Sequence, residues 1–311
     1  MIGNKEDPRK VFGKTISDYG IEHEDVVLLS ADSGKSSGFG DFMAACPDRY
    51  FECGIMEQCV TGIAAGLACA GKIPVFCAIA PFVTARNFEM FRNDCGYMQQ
   101  NVKIVGRNGG ITYSDLGATH HSLDDFAIIR MIPGVTILCP QDPNEIRSAT
   151  KAMMEHKGPV YMRIGNAAIE NLFEEEPFEI GKGRKIADGK DVTIIATGTE
   201  TGQVMKALPL LKEKDISADV IGLPTIYPLD KELILESVEK TGRVVTVEEH
   251  YVTGGLGGSV AELLCEECPA ILKKIGVPHW YATSGPYDEI LHQYGLDAEG
   301  IAKTVAEFTG R

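Results

Sequence analysis

Short apolar runs alternate with helical segments along almost the whole chain, and that alternation leaves few folds open. Runs of about four to eight apolar residues, bounded by turn signals, read as buried strands. Asp25 to Ser30 (DVVLLS) is one; Arg49 to Cys53, Ile73 to Ile79, Val102 to Val105, Val135 to Leu138 and Pro159 to Arg163 follow. Between them, Pro8 to Tyr19, Glu57 to Ala70, Arg86 to Met98, Leu123 to Arg130 and Asn144 to Glu155 read as helices. Repetition of this kind implies a parallel sheet with helices on both faces. Residues 170–190 break the pattern with the acidic run Glu174 to Glu176 and then GKGRK, as expected of an interdomain linker. The alternation restarts with strands Val192 to Ala196, Ala218 to Gly222 and Arg243 to Val247, helix Thr201 to Leu211, and helices after Gly258 and Asp297. The expected fold class is α/β, with two doubly wound domains over residues 1–169 and 191–311.

The 311 residues suffice for two such cores. A formal net charge of -14 argues against nucleic acid, since phosphate backbones are met by clustered Lys and Arg. Met1 to Lys10 is charged from its start and does not read as a secretory signal. The most apolar stretch, Thr61 to Val83, is broken by Lys72, Pro74 and Pro81 and falls short of a membrane span. Nine cysteines, an odd number scattered through apolar segments, fit a reducing cytoplasm. Cys265 and Cys268 form a CxxC without the second pair a zinc ribbon requires, so they read as two thiols on a helix.

In doubly wound sheets, ligands bind beyond the carboxyl ends of the strands. That rule selects four loops, holding Asp32 to Ser37, Gly54 to Glu57, Pro81 to Phe88 and Arg107 to His121. Glu57 opens a small-residue helix. It either complements the helix dipole or is a desolvated carboxyl that relays a proton. His120 and His121 lie in GATHHSLDD, where a histidine beside Asp124 could cap a helix or touch a substrate. Substrate contact is favoured over metal, because no acidic or thiol partner stands at ligand spacing. The GGLGGS of Gly254 to Ser259 fails GxGxxG, since Val260 holds the last position, and reads as a tight turn. Neither a Walker A sequence nor a GxSxG elbow is present.

Four segments together resemble the C-terminal two-thirds of the transketolase family. They are SADSGKSS (Ser30 to Ser37), YFECGIMEQCVTGIAAGLA (Tyr50 to Ala68), PFVTARNFEMFRND (Pro81 to Asp94) and DLGATHHSLDDFAIIRMIPGVTILCPQD (Asp115 to Asp142). VTIIATGTE and VVTVEEHYVTGGLGG extend the resemblance over nearly the whole chain. It implies a pyrimidine-binding domain followed by a transketolase C-terminal domain. It further implies a thiamine-diphosphate enzyme that moves a two-carbon ketol unit from a ketose to an aldose. Glu57 matches the glutamate that bonds N1′ of the cofactor's aminopyrimidine, and Phe82 the aromatic stacked on that ring. Phe88 matches a second pocket aromatic, Ile55 an apolar residue packed on the cofactor, and Asp32 an acidic residue near it. His120 matches the histidine at the reacting carbons. Arg9, Ser36 and Arg163 match the positions that hold the sugar phosphate, a group suited to arginine forks.

This sequence departs from the family at two substrate positions. Leu116 stands where a hydroxyl-reading aspartate is usual, and Asn108 where a histidine is usual. A larger departure is the missing GDG…N motif, which in the family holds Mg²⁺ and the cofactor's diphosphate on another domain. The resemblance therefore implies a split enzyme. A partner chain would carry GDG…N and Mg²⁺, the cofactor would be shared, and the assembly would be an α2β2 heterotetramer acting on sugar phosphates in the cytoplasm. Two relatives offer alternatives: 1-deoxyxylulose-5-phosphate synthase and the β subunit of a 2-oxo-acid dehydrogenase. A non-catalytic module that kept the fold is a third reading, against which Glu57, Phe82 and His120 stand together.

Overall fold

A strand buried on both faces must be apolar throughout, and the apolar runs of this chain assemble into two sheets. The structure is a computed structural model that describes residues 2–311. Its first half contains β1 (Lys5–Glu6), β2 (Val26–Ser30), β3 (Tyr50–Glu52), β4 (Ile73–Ile79), β5 (Lys103–Arg107), β6 (Thr136–Leu138), β7 (Val160–Arg163) and β8 (Ile169–Glu170). Its helices are α1 (Pro8–Glu22), α2 (Gly40–Ala45), α3 (Glu57–Cys69), α4 (Ala80–Val83), α5 (Phe88–Met90), α6 (Asp125–Ile129) and α7 (Pro143–Glu155). A π-helical turn, Phe91–Tyr97, continues α5. Strands run parallel in the order β6-β7-β5-β4-β2-β3, so the loops selected from sequence share one edge of the sheet. Local chemistry sets the helix starts. Asp7 and Asp142 cap α1 and α7 by accepting from the amides of Arg9 (2.9 Å) and Glu145 (2.6 Å), each with proline in the first turn.

The second half contains β9 (Arg184–Ala187), β10 (Val192–Ala196), β11 (Ala218–Gly222), β12 (Thr225–Tyr227), β13 (Arg243–Tyr251) and β14 (Ile271–Val277). Its helices are α8 (Glu200–Glu213), α9 (Lys231–Thr241), α10 (Leu256–Glu267), α11 (Tyr287–Tyr294) and α12 (Ala298–Thr309). Its sheet has the order β14-β13-β10-β11-β9, parallel except for β9. Two features differ from the sequence expectation. The segment read as a linker contributes β9, whose Arg184 and Lys185 reach out to Glu176 and Asp219 while the backbone pairs with β11. β12 leaves its own half and pairs antiparallel with β6, completing a seven-stranded first sheet. The two halves thus share a sheet and one apolar cluster, in which Phe76, Phe126 and Val135 lie with Ile195, Ile226 and Leu256. Among the described residues no helix is long and apolar enough to cross a membrane.

Candidate active site

Glu57 is the first residue of α3, and its side chain is only 5% exposed. No side chain caps this helix from Met56, and Glu57 is an acidic residue in its first turn, where negative charge is favoured. Its Oε1 accepts a 2.7 Å hydrogen bond from Nη1 of Arg86, which arrives from the loop after β4. The Arg86 guanidinium lies 3.9 Å from the centre of the Phe82 ring, a cation–π contact. On Phe82 converges His120, edge-on at 5.3 Å, and Tyr113 stands edge-on to His120 at 5.5 Å. His120 Nδ1 lies 3.0 Å from the Thr119 hydroxyl. A continuous row thus links a buried carboxylate to an accessible imidazole. Behind it, Thr61 donates to the Glu57 carbonyl (3.1 Å) and accepts from Asn87 Nδ2 (2.5 Å), locking the β4 loop to α3.

Glu52 ties the neighbouring loops together. Its Oε1 accepts from the amides of Asp32 (2.6 Å) and Gly54 (3.0 Å), and its Oε2 from the Tyr50 hydroxyl (3.0 Å). Burial is the largest influence and opposes its charge, but the two amides together with the Ser30 and Tyr50 hydroxyls hold the carboxyl below its ordinary range. Asp32 takes a left-handed φ of 57° there and leaves its own carboxylate exposed. Gly34 is required nearby, since a Cβ would overlap the Tyr50 oxygen. Ile55 is 75% exposed on the same rim, whereas Phe88 packs half-buried against the first core.

The cation that reaches Ser36 comes from the end of β5. Arg107, at the end of β5, donates from Nη2 to Ser36 Oγ (3.1 Å) and from Nη1 to Asn108 Oδ1 (3.1 Å). Burial, and after it the Arg9 cation, hold Arg107 below the usual guanidinium range. Arg9 itself forks onto Asp7 at 3.1 and 2.8 Å. Arg163 lies elsewhere: it donates to Asp125 Oδ1 (3.1 Å), stacks 3.9 Å from the Phe126 ring, and is buried. Asp125 also accepts from the Tyr161 hydroxyl at 2.7 Å. The reason is strand parity. Arg163 of β7 pairs with Gly106 of β5, so Arg107, one residue on, points to the opposite face. It is Arg107, not Arg163, that bonds Ser36. Leu116 is half-exposed in the loop that carries His120, and Asn108, with φ 58°, is buried.

That loop is held by the second half of the chain. Gly110, at φ 62°, lies where a Cβ would overlap Glu249 Oε2. The Ile111 amide donates to the same oxygen over 2.9 Å, and the Ile111 side chain enters the second core. Glu249 Oε1 accepts from Thr199 (2.8 Å) and from the Tyr287 hydroxyl. Beside His120, His121 is buried with no partner on either ring nitrogen, and burial lowers its pKa. One His/Asp/Glu triad occurs among the described residues, His292, Asp297 and Glu299, where Asp297 already caps α12 through the Gly300 amide. Sequence reasoning passed over Arg86, Arg107, Tyr113 and Glu52. Arg86, Arg107 and Tyr113 lie within the loops that the strand-end rule selected, and Glu52 just before one of them.

The chain is similar to transketolase proteins over nearly its whole length. Residues 5–170 match the family model for the transketolase pyrimidine binding domain, and residues 181–301 the model for the transketolase C-terminal domain. The chain is 42% identical over 310 residues to an apulose-4-phosphate transketolase subunit of Phocaeicola vulgatus, spanning 99% of each chain. It is 36% identical over 304 residues to a 6-deoxy-6-sulfo-D-fructose transketolase subunit of Clostridium sp., spanning 97% of this chain and 94% of that one. Among solved structures, a split gene transketolase described as an inactive beta4 tetramer superposes with a TM-score of 0.88 at 37% identity, covering 98% of both chains.

Proposed function

The chain belongs to the transketolase family, and from that premise we propose that it is the pyrimidine-side subunit of a two-chain, thiamine-diphosphate-dependent transketolase. The observation that carries this reading is the buried Glu57 carboxylate at the start of α3, linked through Arg86 to Phe82 of α4, against which His120 of the loop after β5 packs. Two of these groups fit the pyrimidine end of the cofactor, a carboxyl for N1′ and an aromatic face in Phe82, and Phe88 would back the pocket from the core. When bound, thiamine diphosphate supplies the electron sink for breaking and remaking a carbon–carbon bond. Glu57 would hold and return the N1′ proton, a task for which a buried, hydrogen-bonded carboxyl is suited. His120 would meet the reacting end of the sugar. Arg107, Ser36 and Arg9 would hold its far end, where charge-assisted donors favour an anionic group. Relatives named for a sugar phosphate and for a sulfosugar support an anionic tail.

The diphosphate and Mg²⁺ would be held by a partner chain bearing GDG…N. The exposed Ile55, Met56 and Asp32 give the open side of the site a partly apolar rim on which a second chain can close. A closed two-fold α2β2 assembly would place two such sites. All nine cysteines are free thiols, which supports a reducing compartment such as the cytoplasm. The test is reconstitution. Mixing this chain with the partner, thiamine diphosphate and Mg²⁺ should create ketol transfer between sugar phosphates that neither chain shows alone. Equal activity from either chain by itself would sink the reading.

A further inference from the structure

Arg86 donates from its planar guanidinium to Glu57 and sets that group over the Phe82 ring. Those are the two contacts that the proposed function gives to the aminopyrimidine. Its Nη1 stands 2.7 Å from Glu57 Oε1, and its guanidinium 3.9 Å from the Phe82 centroid. Glu57 is buried, and a buried ionised carboxylate requires a partner. Arg86, by contrast, keeps 37% of its side chain in solvent. One member of the pair is fixed and the other has an exit.

The backbone around Arg86 is fixed as well. Its amide donates to the Pro81 carbonyl at 3.1 Å, and Asn87 is bound to Thr61 at 2.5 Å. Only the long side chain can move, and rotamer exchange at exposed positions is fast. The face of Phe82 that Arg86 covers cannot take a second flat group at the same time.

We propose that Arg86 is a resident stand-in for the aminopyrimidine, which the cofactor displaces into solvent when it engages Glu57 and Phe82. This rests on the assignment of Glu57 and Phe82 to the cofactor. Arg86 is then a positioning residue. It keeps the carboxylate and the ring in place before the cofactor arrives, and it lowers apparent affinity by competing for them, since a competent state that is partly masked binds proportionally less tightly.

The experiment is isothermal calorimetry of thiamine diphosphate, with Mg²⁺, on the complex reconstituted with its partner chain. Arg86→Ala should tighten binding by roughly ten- to a hundred-fold, the range expected for removing a competing charge-assisted contact. Arg86→Lys keeps a charge for Glu57 but cannot stack, and should tighten binding by less; it also serves if the alanine variant does not assemble. Millimolar guanidinium ion should weaken cofactor binding to Arg86→Ala and leave the wild type unaffected. Unchanged or weaker binding in both variants overturns the proposal, because Arg86 would then stay with Glu57 beside the bound cofactor. If wild type binds cofactor and Glu57→Gln weakens it while the Arg86 variants do not tighten it, this proposal alone fails. If wild type binds no thiamine diphosphate, the proposed function fails too.

Discussion

Arg86 and Glu57 pair over 2.7 Å on the face of Phe82, joining the loop after β4 to the first residue of α3. The pair draws together two segments 29 residues apart in sequence and leaves the carboxylate enclosed but not stranded. Glu57→Gln preserves shape and hydrogen bonding but cannot carry a proton. In the reconstituted complex it should lower kcat by roughly 10² to 10⁴-fold, the usual contribution of a positioned acid–base group. Far-ultraviolet circular dichroism should be unchanged. Near-normal kcat would reduce Glu57 to a residue that merely starts a helix.

Arg107 and Arg163 should separate into two phenotypes. Removing Arg107 takes a charged donor from Ser36 and from the site, so Arg107→Ala should lower kcat/KM for phosphorylated sugars by roughly ten- to a hundred-fold relative to unphosphorylated ones. Arg163→Ala strands the fully buried Asp125, and should destabilise the chain by about 3–5 kcal/mol without shifting sugar preference. Steady-state kinetics on paired sugars, with chemical denaturation of each variant, distinguishes the two. A lost phosphate preference in Arg163→Ala, with stability intact, would reverse the assignment.

Gly110→Ala tests the hold of the second half on the His120 loop. The new Cβ would overlap Glu249 Oε2, and φ of 62° is strained for alanine. The loop must shift, and a displacement of about an ångström at a positioned group can cost on the order of 10²-fold in rate. The expected result is a large loss in kcat with increased proteolytic cleavage within residues 107–121. Full activity would mean the buttress is not needed.

Glu145 predicts a pH dependence of stability. Burial pushes its carboxyl from 4.5 to about 8, against the opposing hydrogen bond from the Gln141 amide at 2.7 Å. Its folded pKa lies above its unfolded one, so its favourable contribution is complete below pH 4.5 and is lost as pH rises through about 8. Glu145→Gln keeps an acceptor and removes the titration. Thermal unfolding should therefore show a shallower decline from pH 5 toward pH 8 in the variant. Parallel curves would show that Glu145 is not the group responsible.

Both sheets were legible in the sequence because strands buried on two faces are nearly continuous apolar runs, as in β2, β4 and β10. β12 was not legible. It has three residues and owes its existence to pairing with β6, far away in sequence. β9 was hidden by its charges, since Lys185 and Arg184 answer acidic partners that only the fold brings near. In the site, the loops were legible from the strand-end rule, and Glu57, Phe82 and His120 do converge. That Arg107 rather than Arg163 bonds Ser36 was not, because it depends on the register of β5 against β7, and a one-residue difference reverses the face. Arg86 was missed because its role lies in what it touches, not in its spacing.

The most direct measurement is calorimetric titration of thiamine diphosphate, with Mg²⁺, into the isolated chain and into the complex with its partner. If the chain holds only the pyrimidine half of the site, the isolated chain should bind weakly and without dependence on Mg²⁺. The complex should bind tightly, with affinity lost on chelation of the metal. Tight, Mg²⁺-dependent binding by the isolated chain would contradict the division of the site between two chains.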